Sequence, residues 1–129
     1  MKKIILFALL LCTSFQIAIA QSAAEKHTPI LRHVVMFKFA DKATPAEVKK
    51  IEEAFRALKS KIALIKDFEW GVNNSPEKLN GGLTHCFFVT FSSEKDRDAY
   101  LVHPDHKAFV AIAGSNIEKA TVLDYWAHK

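Results

Sequence analysis

The chain is poor in the residues that mark several common classes of small protein. Its 129 residues include only two cysteines, four glycines and four prolines. Two cysteines cannot build a disulfide scaffold, so the stability of the fold has to come from packing. The net charge of +4 is too small for the basic surface that nucleic-acid-binding proteins carry, so no nucleic-acid partner is expected.

The first twenty residues have the features of a secretory signal peptide. Two lysines follow Met1, residues 4–11 are apolar, and an Ala-x-Ala pattern ends at Ala20. The apolar run is shorter than the roughly 20 residues needed to span a bilayer, which disfavours a membrane anchor. A lipid anchor on Cys12 is the weaker alternative, because Leu11 is large where a small residue is expected. The pattern predicts export to the periplasm or the exterior, with no membrane span in the mature form.

Removal of this leader changes the charge and cysteine counts. Two lysines are lost, which leaves sixteen basic and fourteen acidic residues and a net charge of +2. Cys86 becomes the only thiol, and its place in the middle of a predicted strand favours burial as a small apolar side chain. The roughly 109 remaining residues are enough for one domain with its own core.

Alternation and capping signals divide the mature chain into a flexible arm at 21–31 and a folded domain at 32–126. Strands are predicted over 32–40, 66–72, 84–91 and 120–126. Thr44-Pro45 and Ser93 have the signatures of helix starts, and Pro104 interrupts the second helix, whose continuation is expected to bury a stripe from His106 to Ile117. This order predicts an α+β, ferredoxin-like split βαβ fold (βαββαβ), a four-stranded antiparallel sheet with the helices on one face.

The strand patterns assign side chains to the two faces of the sheet. On the first and third strands, one face carries His33, Val35, Phe37, Phe39, His85, Phe87, Val89 and Phe91. The opposite face carries Val34, Met36, Cys86 and Phe88, which is too apolar to leave in water. A homodimer formed through that face is the expected partner arrangement.

The richest chemistry is concentrated between Thr84 and Phe109. This stretch holds three of the six histidines and a tyrosine. Because proline disfavours helical geometry in the residue before it, His103 is expected at a break that brings Tyr100, His103 and His106 close together.

These residues resemble the stress-responsive A/B barrel family, also called Dabb, the dimeric α+β barrel. The resemblance covers almost all of the chain from Arg32. It rests on His33-Val-Val-Met-Phe-Lys-Phe, Thr44-Pro45, Phe68-Glu-Trp-Gly-Val-Asn73, Thr84-His85, Tyr100 with His103-Pro-Asp-His106 and Phe109, and Asp124-Tyr125. It implies a ferredoxin-like fold whose two sheets meet in a homodimeric α+β barrel.

The resemblance also implies a site. Plant polyketide cyclases of this family have a catalytic tyrosine and histidine that match Tyr100 and His106, and pocket histidines that match His33 and His85. His103, Phe37, Phe55 and Phe87 are the other expected ligand-binding positions, for a small hydrophobic or aromatic ligand. The implied chemistry is a cofactor-free, cyclase- or lyase-like proton transfer without a metal, in which a neutral imidazole takes the proton and the tyrosine steadies the enolate oxygen.

Three interpretations of this set stay open at the level of sequence. The favoured one is a small-ligand-binding or non-enzymatic envelope protein, because buried histidines and tyrosines are commonly held by hydrogen bonds. Catalysis by His106 and Tyr100 is the alternative. A metal site built on His103 and His106 with His33 or His85 is the weakest, because the family pattern supplies no carboxylate or thiol to complete a tetrahedral set.

The processing prediction is directly testable. Because the small-residue pattern ends at Ala20, the exported protein is expected to begin at Gln21. Mass spectrometry of the mature amino terminus measures this. A species that retains Met1, or one that begins at a lipidated Cys12, would contradict it.

Overall fold

The computed structural model describes residues 29–128, which form one antiparallel sheet and three α-helices. In chain order the elements are β1 (Leu31–Phe39), α1 (Pro45–Lys61), β2 (Asp67–Val72), β3 (His85–Phe91), α2 (Glu94–Leu101), α3 (Pro104–Ala113), a 3-10 turn (Gly114–Asn116) and β4 (Ile117–Trp126). The predicted signal peptide and residues 21–28 of the predicted arm lie outside the described residues.

The sheet has the strand order β2-β3-β1-β4, and all three neighbouring pairs are antiparallel. Strand β1 lies between β3 and β4, so the first strand of the domain pairs with the last one. His33 is aligned with Val89 on one side and with Asp124 on the other. The predicted ferredoxin-like α+β fold is confirmed.

Helix α1 begins where its capping residues predict. The Thr44 hydroxyl accepts a hydrogen bond from the Glu47 amide, and the Glu47 carboxylate accepts one from the Thr44 amide, which completes a capping box. Pro45 occupies the first turn, where its missing N–H costs nothing. The cap fixes where the helix begins. Its buried residues, Ile51, Phe55 and Leu58, then face the sheet.

The core lies between the sheet and the helices and is dominated by aromatic rings. Phe55 of α1 is stacked at 4.4 Å on Phe109 of α3 and lies 4.5 Å from Phe87 of β3, measured between ring centroids. Burying such large apolar side chains provides most of the driving force for folding. The other buried apolar core residues are Leu31, Val35, Phe37, Ile51, Leu58, Ile62, Ile65, Val89, Phe91, Tyr100 and Ala113.

Two predicted boundaries are wrong. The sequence pattern predicts Leu31 in the flexible arm, but Leu31 starts β1, is aligned with Phe91 and Trp126, and is 2% exposed. The sequence pattern predicts Ile117 on a helical stripe, but α3 ends at Ala113 and Ile117 begins β4, three residues before the predicted start. The φ of Gly114 is +42°, which glycine adopts more readily than other residues and which ends the helix there.

The sheet face away from the helices keeps an apolar surface. Val34 is almost fully buried, but Leu123, which is aligned with it on β4, is 56% exposed. Tyr125 on the same face is 40% exposed. Among residues 29–128, no helix has the length and hydropathy needed to cross a membrane.

The capping box gives a stability prediction. Thr44→Ala removes the side-chain acceptor of the Glu47 amide and is expected to lower the free energy of unfolding by about 1 kcal/mol. Urea denaturation followed by circular dichroism measures this, with the exposed Ser115→Ala as the control. An unchanged urea midpoint in Thr44→Ala would show that the cap contributes nothing.

Candidate active site

A cleft of about 280 Å³ opens between α2 and α3 on one side and β1 and β4 on the other. Four of its lining residues carry polar groups, namely His33, Tyr100, His106 and Asp124. The rest of the lining is apolar, from Val35, Phe37, Phe55, Leu101, Phe109, Val110, Ala120 and Val122. The cleft therefore combines a few polar groups with an apolar wall, as small-molecule sites usually do.

The sheet register places a hydrogen-bond partner beside His33. His33 is 4% exposed, and its Nδ1 lies 2.6 Å from Oδ1 of Asp124, its aligned residue on β4. A carboxylate only accepts, so Nδ1 of His33 carries the hydrogen of this bond. His33 Nε2 makes no hydrogen bond within residues 29–128. His33 is one of the residues that line the cleft.

Tyr100, near the end of α2, is fully buried beneath the cleft. Its ring centroid lies 5.8 Å from that of His33 and 4.4 Å from that of His106. Its hydroxyl has no hydrogen-bond partner in the described part of the chain. Burial raises the pKa of this phenol above its ordinary value, so it stays protonated and remains a donor. A buried donor without an acceptor is unfavourable, and a ligand oxygen would satisfy it.

The break before α3 orients His106. His103 caps α3, Pro104 occupies its first turn, and His106 then reaches back so that its Nδ1 lies 3.1 Å from the carbonyl oxygen of Leu101. A carbonyl accepts, so Nδ1 donates and Nε2 is left as a proton acceptor. Burial lowers the pKa of His106, and the positive charge on His33 or His103, when either is protonated, lowers it further, while the bond to Leu101 opposes the shift. The ring is therefore neutral at neutral pH.

The structure places some predicted site residues at the cleft and others elsewhere. Phe37 and Phe55 line it. Phe87 is 0% exposed and lies behind them, stacked against Trp70 at 5.8 Å, so it supports the wall without lining the cleft. His103 serves as the cap of α3, where its Nδ1 accepts from the Asp105 amide at 3.2 Å.

His85 lies away from the cleft lining. Its Nε2 is 2.9 Å from a carboxylate oxygen of Glu52 on α1, and its Nδ1 is 2.8 Å from the Thr84 hydroxyl. It borders a second groove, of about 390 Å³, next to the loop between β2 and β3. Within residues 29–128, no group of three or more histidine, cysteine, aspartate or glutamate residues is arranged to hold a metal ion.

Sequence reasoning missed Asp124 and Arg97 as parts of the site. Arg97 on α2 donates to Oδ2 of Asp124 at 2.6 Å, while Oδ1 accepts from His33. The signal that could have identified Asp124 was strand register, since pairing β1 with β4 through their apolar residues aligns it with His33. Arg97 and Tyr100 are three residues apart and lie on neighbouring positions of one helix face.

Chemically, the cleft presents two imidazoles in a largely apolar setting, and the Tyr100 hydroxyl is enclosed beside them. The Tyr100 hydroxyl is a donor, and Nε2 of His106 is an acceptor. A neutral imidazole next to a protonated phenol can take a proton from a ligand while a hydrogen bond stabilises the resulting oxyanion.

Comparison with known proteins gives a consistent assignment. The family model described as Stress responsive A/B Barrel Domain (Dabb) matches residues 31–127. The chain is 33% identical over 95 residues to the stress-response A/B barrel domain-containing protein HS1 of Arabidopsis thaliana, covering 74% of this chain and 87% of that protein. It is 30% identical over 99 residues to olivetolic acid cyclase of Cannabis sativa, covering 77% and 98%.

Solved structures agree with these relatives. A crystal structure of At3g17210 from Arabidopsis thaliana superposes with a TM-score of 0.73 at 31% identity, covering 77% of this chain and 96% of that one. A protein from Bacteroides fragilis, described as dimeric, of ferredoxin-like fold and of unknown function, has a TM-score of 0.63 at 26% identity, covering 76% and 96%. Family model, relatives and fold agree, and the chain belongs to the stress-responsive A/B barrel domain family.

Proposed function

We propose that the cleft binds a small carbonyl compound and that His106 and Tyr100 transfer a proton next to its carbonyl group without a cofactor. The observation that carries this proposal is the buried Tyr100 hydroxyl, which has no partner in the described part of the chain and belongs to the ring 4.4 Å from that of His106. The kinship to a protein named as a cyclase supports it.

The steps follow from the protonation states of the two side chains. Nε2 of His106 takes a proton from the carbon next to the carbonyl, the electron pair of that C–H bond forms a carbon–carbon double bond, and the π electron pair of the carbonyl moves onto its oxygen. The Tyr100 hydroxyl donates a hydrogen bond to this oxygen as its negative charge develops. His106 then returns the proton to the ligand, so the enzyme is unchanged at the end of the cycle.

The apolar wall supports a simpler function of the same cleft, the binding of a small aromatic or hydrophobic ligand without turnover. Phe37, Phe55 and Phe109 supply a continuous aromatic surface. The volume of about 280 Å³ is close to the lower end of the ~300–1,000 Å³ typical of ligand sites. Binding without proton transfer is separated from catalysis by the first experiment below.

The catalytic proposal is tested with 1-phenylpropan-2-one in deuterium oxide. NMR measures the replacement of the hydrogens beside its carbonyl by deuterium. His106→Ala removes the base and is expected to slow this exchange by at least ~100-fold, the usual scale for a general base. Since burial lowers the pKa of His106, exchange should persist below the pH at which free imidazole gains its proton, and should fall once His106 itself is protonated.

The controls separate this role from a purely structural one. The exposed His128→Ala removes a histidine outside the cleft and should leave exchange unchanged. If His106→Ala only lowers the melting temperature and exchange continues at the wild-type rate, His106 is not the base. If wild type binds the ketone, seen as shifted ligand resonances, but exchanges no deuterium, the cleft binds without catalysing.

We also propose that a second copy of the chain covers the sheet face that bears Val34, Met36, Phe88 and Leu123. Leu123 and Tyr125 on this face are 56% and 40% exposed, and apolar side chains left exposed together on one face are typical of an interface. Relatives of the same fold are described as dimeric, which supports a homodimer here.

The dimer proposal is tested by charge placement. Leu123→Asp puts a carboxylate within the proposed interface and should give a monomer by analytical ultracentrifugation, because burying an unpaired charge is strongly unfavourable. Ile112→Asp changes an exposed apolar residue on the helix side and should stay dimeric. A monomeric wild type, or a Leu123→Asp variant that stays dimeric, would overturn the proposal.

For localisation, we propose export through the amino-terminal signal, so that the protein acts in the periplasm or outside the cell. The support is the pattern of residues 1–20, and analysis of the mature amino terminus tests it.

A further inference from the structure

Helix α2 carries a second functional feature besides Tyr100. The Nε atom of Arg97 donates to Asp98 at 2.8 Å, and its guanidinium donates to Oδ2 of Asp124 at 2.6 Å. The other oxygen of Asp124 accepts from His33 at 2.6 Å. A continuous chain of hydrogen bonds therefore runs from the surface of α2 through the edge strand β4 to the imidazole on β1.

Arg97 restricts the geometry of Asp124. The Asp124 side chain is 30% exposed on an edge strand, so its carboxylate would be free to rotate and to bind water. The Arg97 side chain is 17% exposed, and its planar guanidinium holds one carboxylate oxygen in a fixed direction. The remaining oxygen then faces His33, and the proton of His33 is kept on Nδ1.

Arg97 also balances the charge beside His33. Without the guanidinium, the carboxylate of Asp124 would be an unneutralised negative charge 2.6 Å from the imidazole and would favour a second proton on the ring. The other titratable groups near the ring are Tyr100 on α2 and His106 on α3. Neither can replace the positive charge of Arg97, since Tyr100 cannot become positive and the His106 ring is neutral.

We propose that Arg97 is a positioning residue that acts through Asp124 to keep His33 neutral, with its Nε2 lone pair available to the cleft. This inference rests on the proposed function, because His33 lines the same cleft as Tyr100 and His106. Arg97 itself does not line the cleft. Its effect is therefore on the state of His33 and not on contact with the ligand.

The experiment observes His33 directly, by proton–nitrogen NMR correlation spectra of protein labelled with ¹⁵N-histidine. At pH 7, wild type should show His33 with its hydrogen on Nδ1 and none on Nε2. Arg97→Leu, which keeps an apolar stem of similar length, should shift the Nε2 resonance toward the protonated position. Arg97→Lys restores a positive charge with a poorer fit and should recover most of the wild-type signal.

Asp98→Asn is the matched control, because it alters the outer contact of Arg97 at a residue whose side chain is 66% exposed. It should leave the His33 resonances in place. The melting temperatures of the variants should differ little. The proposal is overturned if Arg97→Leu keeps the wild-type His33 spectrum. Wild-type His33 with its hydrogen on Nε2 would overturn it even if Arg97→Leu failed to fold.

A second measurement separates this inference from the proposed function. Deuterium exchange of 1-phenylpropan-2-one should fall about tenfold in Arg97→Leu and recover in Arg97→Lys, with ketone affinity nearly unchanged. If wild type exchanges no deuterium, the proposed proton transfer fails, while the His33 spectra still decide whether Arg97 sets the state of the imidazole. If exchange is normal in Arg97→Leu and the spectrum shifts, Arg97 sets that state but His33 takes no part in the reaction.

Discussion

The candidate site depends on the interruption of the second helical segment at Pro104. Proline has no N–H to donate and disfavours helical geometry in the preceding residue, so α2 ends at Leu101 and His103 adopts an extended conformation. The chain then starts α3 in a new direction, which lets His106 reach back to the Leu101 carbonyl and lie against Tyr100. In a continuous helix these two residues, which are six positions apart, would lie on different faces.

The second constraint is the cost of placing polar groups in an aromatic core. His33 offsets this cost with a hydrogen bond to Asp124, and His106 offsets it with a hydrogen bond to the Leu101 carbonyl. The Tyr100 hydroxyl has no such hydrogen bond within the described residues. Groups left unpaired in this way are uncommon in native proteins and occur at sites that bind or react, which is why the orphaned hydroxyl carries more weight than the number of histidines nearby.

Local signals predicted the elements of the fold well, and pairing between distant segments explains what they missed. The capping residues Thr44 and Ser93 and the break at Pro104 act within a few positions, so their effects could be read directly. The start of β1 at Leu31 depends on its pairing with Phe91 and Trp126, which no local pattern reveals. The same holds for the site. Tyr100 and His106 are near neighbours in sequence, whereas Asp124 reaches His33 only through strand register. His85 is bound to a carboxylate on α1, away from the cleft lining.

The proposed roles of Tyr100 and His106 follow from one physical cause. Removal from water disfavours whichever form of a side chain is charged. For a phenol the charged form is the deprotonated one, so burial raises the pKa of Tyr100 and preserves its donor. For an imidazole the charged form is the protonated one, so burial lowers the pKa of His106 and preserves its acceptor. A single apolar environment thus separates the two groups into hydrogen-bond donor and base at the same pH, without any need for a charged neighbour to assign the roles.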